Sequence, residues 1–226
     1  MQPTPPTAQS TLPADIHDYS APLRLWHWGN ALLVSGQLLT ILFLLVIVKP
    51  KALTPDFQQA LRKSGGTLSA DQGRALAHVI SERIWDWHIT IGLALAAFWA
   101  YWLVVQFTTP PERRFTTRLA AAARRYRLAP PAEHADARHA LLAKLSYAAF
   151  YLFLAVMVIT GLALTWADDV AWLGSMEHIV KEVHNVTMYL IIGFVVVHIV
   201  GVVWAELTGD HGLISRMISG KPKKIS

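Results

Sequence analysis

Val183-His184-Asn185-Val186-Thr187-Met188-Tyr189-Leu190-Ile191-Ile192-Gly193-Phe194-Val195-Val196-Val197-His198-Ile199-Val200-Gly201-Val202-Val203-Trp204-Ala205 runs for 23 residues without an Asp, Glu, Lys or Arg, and it holds two histidines. A helix needs roughly 20 apolar residues to cross the ~30 Å hydrocarbon core of a bilayer. Three more stretches meet the same condition: Trp28–Val48 with 21 residues, His88–Thr109 with 22 and Leu145–Ala167 with 23. Four of them in a chain of 226 residues leave too little polar sequence to cover them in water. The expected fold is all-α, an integral membrane four-helix bundle.

The composition agrees. Hydrophobic residues make up 54% and charged residues 15%, against about a quarter charged in a soluble domain. A disordered chain is excluded by the apolar content. The absence of Cys excludes a disulfide scaffold, a thiolate metal site, an iron–sulfur cluster and a cysteine nucleophile. Residues 1–22 are polar, rich in Pro and Thr, and lack Lys and Arg, which is the wrong pattern for a cleaved signal peptide. The expected organisation is a polar segment over 1–22, a transmembrane domain over 23–208 and a basic tail over 209–226.

Lys and Arg in the loops set the direction of insertion. The loop between the second and third stretches carries Arg113, Arg114, Arg118, Arg124, Arg125, Arg127, Arg138 and Lys144, and the tail carries Arg216, Lys221, Lys223 and Lys224. The loop before the fourth stretch has Lys181 against Asp168, Asp169, Glu177 and Glu182. Both termini are therefore expected in the cytoplasm, and the acidic loop outside. Four spans then place Lys49, Lys51, Arg62, Lys63, Arg74 and Arg83 outside as well. The net charge of +5 reads as mostly topogenic, so no nucleic-acid partner is expected. In the first external loop, Gly65-Gly66 predicts a turn. Ser69-Ala70-Asp71-Gln72 predicts a capping box, opening a helix that runs on into the second stretch.

Ionisable residues at membrane depth usually face the protein interior and have a function. Four of the ten histidines fall there: His27, His88, His184 and His198. His184 and His198 are 14 residues apart, which is about 40° short of four full helical turns and ~21 Å along the axis. They share a face, one near each side of the core. Alternating spans put His27 at the depth of His198 and His88 at the depth of His184. Two pairs at two depths fit axial ligation of two haems b, each iron taking one imidazole from each side. Zinc or copper would want three or four ligands converging on one point. No Cys-x-x-Cys-His is present, so attachment would be non-covalent. His78 and His178 are the alternatives if the span boundaries shift by two turns. His17, His134, His139 and His211 lie in polar segments and are expected to be solvated. Trp26, Trp28, Trp85 and Trp87 flank His27 and His88 and are expected as interfacial anchors. Gly36, Gly92, Gly161, Gly193 and Gly201 suit either a porphyrin face or close helix packing.

Ala21-Pro22-Leu23-Arg24-Leu25-Trp26-His27-Trp28 resembles the opening helix of the b-type cytochrome subunit of membrane-bound nickel–iron hydrogenases, a family similar in layout to the gamma subunit of formate dehydrogenases. The resemblance continues through Val158-Ile159-Thr160-Gly161-Leu162-Ala163-Leu164, the pair His184 and His198, and the tail with Glu206, Gly209 and Ile214-Ser215-Arg216-Met217-Ile218-Ser219-Gly220. It covers most of the chain beyond residue 20. It departs from the hydrogenase pattern before His88, where Arg83 stands five residues upstream. The resemblance implies a multi-pass protein of the bacterial cytoplasmic membrane with two haems b. His27, His88, His184 and His198 match the axial ligands. It also implies a periplasmic oxidoreductase or electron-transfer subunit as partner and quinone as substrate. A homo-oligomer is compatible with it.

Arg24 is a candidate partner for haem propionates. Quinone chemistry needs groups that hydrogen-bond and move protons; Asn30, Gln37, Tyr147 and Glu206 are candidates on the cytoplasmic side, and Asp86, Glu182 and Asn185 on the external side. The leading expectation is a dihaem cytochrome b carrying electrons between a periplasmic partner and the quinone pool. The alternatives are a self-sufficient quinone oxidoreductase reacting with a small redox substrate or a c-type cytochrome, and a haem-free transporter or anchor.

Overall fold

The computed structural model describes residues 21–208 and 213–220. Helix α1 covers Ala21–Leu42 and continues through a π-helical turn at Phe43–Ile47, closed by Val48 N–H donating to the Phe43 carbonyl at 2.8 Å. Then follow α2 (Pro50–Lys63), α3 (Ala70–Thr108), a 3-10 turn at Pro111–Arg113, α4 (Phe115–Leu128), α5 (His134–Thr165), α6 (Ala171–Thr208) and α7 (Leu213–Ser219). The helices built on α1, α3, α5 and α6 are each long and apolar enough to cross a membrane. They contain the four uncharged stretches, and the all-α four-helix membrane bundle is the observed architecture.

Three of these helices are much longer than the uncharged stretches they contain. Helix α3 starts 18 residues before His88, α5 starts 11 before Leu145, and α6 starts 12 before Val183. The added turns carry the charged residues that the uncharged stretches lack. What the sequence reading left as an acidic loop before the fourth span is therefore mostly the first turns of α6. Helix α2, in the first long loop, begins with Pro50 in the first helical turn, where proline's missing N–H costs nothing. Gly65 makes the turn after α2 with φ of +82°, a conformation natural to glycine. Gly73 lets α2 and α3 approach, since a Cβ there would meet Thr54 Cγ2 at 2.6 Å.

The capping box forms as expected. The Ser69 side chain accepts from Gln72 N–H at 3.1 Å, and Gln72 Oε1 accepts from Ser69 N–H at 2.9 Å. Ser69→Ala is expected to cost about 1 kcal/mol, localised to the start of α3. Amide exchange at Gln72 should quicken while the spans stay protected; unchanged exchange at Gln72 would show that the cap contributes nothing.

Sequential helices pack on one another: α1 on α3, α3 on α5, and α5 on α6. Helix α4 lies along α5, and α2 along α3. One core cluster draws on all four spans, with Trp26 and Val34 from α1, Leu95 from α3, Leu154 and Val158 from α5, and Ile191 from α6. Large apolar side chains such as Leu32, Phe107, Val197 and Trp204 point outward and are exposed, as a lipid-facing surface requires. Helix α6 packs closely on α5 and at most loosely on α1 and α3. Across that wider separation the histidines reach.

The opening and tail motifs meet in space. Trp28 Nε1–H donates to the Met217 carbonyl of α7 at 3.1 Å. The Arg24 guanidinium lies against Gly220, which has φ of +73° and no room for a Cβ. Residues 1–20, 209–212 and 221–226 lie outside the described residues. So do His17 and His211, nearly all of the polar 1–22 segment, and the ends of the 209–226 tail.

Candidate cofactor site

His27 comes from α1, His88 from α3, and His184 and His198 both from α6. All four are half-buried, whereas the other described histidines, His78, His134, His139 and His178, are exposed. His78 pairs with Glu82 one turn on, at 3.3 Å, and His134 lies against the Tyr126 ring at 4.6 Å. Neither His78 nor His178 takes the place of its deeper neighbour.

One of the two expected pairs is in ring contact. The rings of His27 and His198 have centroids 6.3 Å apart, inclined at 56°. Phe194, one turn before His198 on α6, stacks on it at 5.9 Å and 7°, and Trp28 packs edge-on to His27 at 5.1 Å. On α3, Trp85 packs edge-on to His88 at 5.4 Å.

Hydrogen bonds fix the second pair from both sides. Thr40 Oγ1 of α1 stands 2.8 Å from His88 Nδ1, and Gln37 Nε2–H donates to the His88 backbone carbonyl at 2.8 Å. Thr160 Oγ1 of α5 stands 2.8 Å from His184 Nδ1. The next residue, Gly161, leaves the His184 ring against bare backbone; a Cβ there would meet His184 Cε1 at 3.4 Å. Among the described residues no three His, Asp or Glu side chains gather where a metal ion could be held.

This donor set fits haem. His27 and His198 stand at 6.3 Å. Gly161 provides a flat cradle for one imidazole, while Gly193 and Gly201 on α6 have nothing within 4 Å of a Cβ position. The remaining glycines serve packing: a Cβ on Gly36 would meet Ile91 Cδ1 at 3.5 Å, and one on Gly92 would meet Gln37 Nε2 at 3.0 Å. Gly29 lets α1 close on α3 beside His27, since a Cβ there would run into the Phe98 ring.

One expected anchor is not an anchor. Trp26 is buried at 6% exposure, packed on Trp102 and Tyr151 at 5.9 and 5.3 Å. It falls on the inward stripe of α1 with Asn30 and Val34, at spacings of four residues that keep one face. Trp28, Trp85 and Trp87 are exposed at 44, 48 and 59%, as anchors should be. Among the quinone candidates, Gln37 was expected beside the cytoplasmic pair but lies against His88, the histidine assigned to the external side, because it is two turns further along α1 than Asn30. Its Oε1 is buried without a hydrogen-bond partner, as are Asn30 Oδ1, Trp26 Nε1 and His27 Nδ1. Glu206 Oε2 accepts from Ile214 N–H at 3.4 Å and so ties α6 to α7. Asp86 pairs with Arg83 at 3.7 Å and is exposed, and Glu182, Asn185 and Tyr147 are exposed too. Sequence reasoning missed Thr40 and Thr160. Thr160 stood inside the Val158–Leu164 motif, but nothing local marks Thr40.

The family model described as prokaryotic cytochrome b561 matches residues 18–220. Two curated relatives are both named probable Ni/Fe-hydrogenase B-type cytochrome subunit. The one from Cupriavidus necator is 26% identical over 221 residues, covering 89% of this chain and 84% of its own length. The one from Azotobacter vinelandii is 26% identical over 229 residues, covering 91% and 87%. No solved structure matches.

Proposed function

The chain belongs to the prokaryotic cytochrome b561 family, and from that premise we propose that it is a dihaem cytochrome carrying electrons across the membrane between a periplasmic redox partner and the quinone pool. It is a membrane b-type cytochrome of electron transfer, multi-pass in the bacterial inner membrane. The finer reading concerns which residues hold the haems, how many there are, and what stands on either side.

The observation that carries it is the 6.3 Å separation of the His27 and His198 rings, together with the Nδ1 hydrogen bonds on both members of the other pair. His27 with His198, and His88 with His184, would each hold one haem b. Haem b, when bound, supplies a one-electron couple at its iron, and the protein supplies binding, orientation and electrostatics. Helix α6 is the common rod: it offers His184 and His198 to opposite sides of the slab, ~21 Å apart along its axis at 1.5 Å per residue. Helices α1 and α3 each return one imidazole. Trp28 packs on His27 and Phe194 on His198, which restricts the orientation of both rings.

Both termini are cytoplasmic in this proposal, since the arginine-rich connection around α4 and the basic tail lie on one side and α2 on the other. Helix α2 and the first turns of α3 then stand on the external face, where a hydrogenase-like partner of the kind named for the two relatives would dock. Asn30, one turn from Trp26 at the His27 end of α1, carries a buried carbonyl oxygen without a partner, and it is the group offered to a quinone on the cytoplasmic side.

The full chain, purified in detergent, is expected to carry about two haems b, both low-spin, and its reduced form should be reoxidised by a soluble quinone analogue. One haem per chain, or none, overturns the two-pair reading. Two haems with no reaction towards quinone overturn the proposed acceptor.

A further inference from the structure

Thr40 and Thr160 come from different helices, α1 and α5, and make the same contact on the two halves of one histidine pair. Each oxygen lies 2.8 Å from a ring Nδ1, Thr40 on His88 and Thr160 on His184. A hydroxyl has one proton and two lone pairs, so its other contacts decide what it does for the ring.

In both cases the proton is already directed elsewhere. Thr40 Oγ1–H donates to the Gln37 carbonyl of its own helix at 2.7 Å. Thr160 Oγ1–H donates to the Val156 carbonyl at 2.6 Å, with Met157 O further off at 3.3 Å. Each hydroxyl is left with a lone pair for the ring, so it accepts from Nδ1–H. The imidazole proton is thereby held at Nδ1, and the Nε2 lone pair faces away from the threonine, free for a metal. The other pair differs: His27 Nδ1 is buried and meets no hydrogen-bond partner.

We propose that Thr40 and Thr160 are positioning residues that hold His88 and His184 as Nδ1–H tautomers and lower the reduction potential of the iron site between them. The inference rests on the ligand assignment proposed above. An acceptor on the distal N–H of a ligating histidine fixes its tautomer and orientation and raises its basicity. A more basic imidazole donates more charge to iron and favours the ferric over the ferrous form. Two such acceptors act on one site, and none is given to His27. Gln37 assists by holding the backbone of His88, so that ring and main chain are both fixed from α1.

The test is a redox titration of the full chain in membranes, followed by visible spectra, with haem content measured in parallel. Thr40→Val and Thr160→Val keep side-chain shape and remove the acceptor. Each is expected to raise the midpoint potential of the same one of the two haems, leave the other unmoved and retain both haems. The double variant should raise it further, and Thr40→Ser and Thr160→Ser should return it towards the starting value. Loss of an outer partner weakens a metal site by about 10–100-fold; a tenfold weakening confined to the ferric form reads as about 59 mV for one electron. His88→Ala identifies the haem concerned by removing it. If His88→Ala removes one haem and neither threonine variant moves its potential, or both haems shift equally, the inference is overturned while the ligand assignment stands. If His88→Ala removes no haem, the ligand assignment itself has failed. Should one valine variant not accumulate, the other reads the same site from a different helix.

Discussion

His198→Ala is expected to halve the haem content of the purified chain, and His27→Ala to remove the same haem as His198→Ala does. Their rings are neighbours at 6.3 Å, so under the proposed pairing deleting either would leave that haem with one protein ligand. His88→Ala and His184→Ala should each remove the other haem, whose ligands are held separately by Thr40 and Thr160. The double variant His184→Ala with His198→Ala should hold none, because α6 contributes to both sites. The four rings are half-buried, and the spectrum of the surviving haem, expected unchanged, separates loss of a ligand from failure to fold. The decisive comparison is between partners. If His27→Ala and His198→Ala remove different haems, the pairing is wrong, while ligation by each residue singly stands.

Leu154→Ala is expected to be the most damaging single substitution in the packing of the bundle. Leu154 has no exposed surface and lies in the cluster that takes side chains from all four spans. Truncating a buried leucine costs about 2–5 kcal/mol in water-soluble proteins, part of it transfer and part the cavity left behind. In a bilayer the transfer part shrinks, because lipid tails are as apolar as leucine. The cavity part remains, so a loss of about 2 kcal/mol is expected, at the low end of that range. It reads as a lower midpoint in detergent-induced unfolding, followed by loss of the haem spectrum. The outward-facing Leu32, 75% exposed, is the control: Leu32→Ala should leave the midpoint in place. Equal effects at the two positions would mean that the bundle is not held by this central cluster.

The four spans were legible because a charge-free run is a property of consecutive residues, and its length can be counted. Their true extent was not, since the added turns of α3, α5 and α6 carry charged residues that a hydropathy reading assigns to loops. The capping box at Ser69 and Gln72 marked one of those extensions. Helices α2 and α4 are not marked by hydropathy, because their lysines and arginines read as loop charge that sets topology. Trp26 was misplaced by its neighbour. Next to His27 it read as part of an interfacial belt, yet Asn30 and Val34 share its inward stripe, and that spacing was available in the sequence.

What the sequence determined alone is the number of spans, the all-helical class, and the depth and facing of His184 and His198. Each of these follows from distance and angle along one helix, 1.5 Å and 100° per residue, and needs no second element. The tertiary structure decided which side chains meet across helices. It brought His27 to the ring of His198, set Thr40 and Thr160 on the Nδ1 atoms of His88 and His184, and buried Trp26 against Tyr151. Those partners come from separate helices, whose rotation and offset are fixed by how the core packs. A single helix holds no record of the packing that supplies its partner.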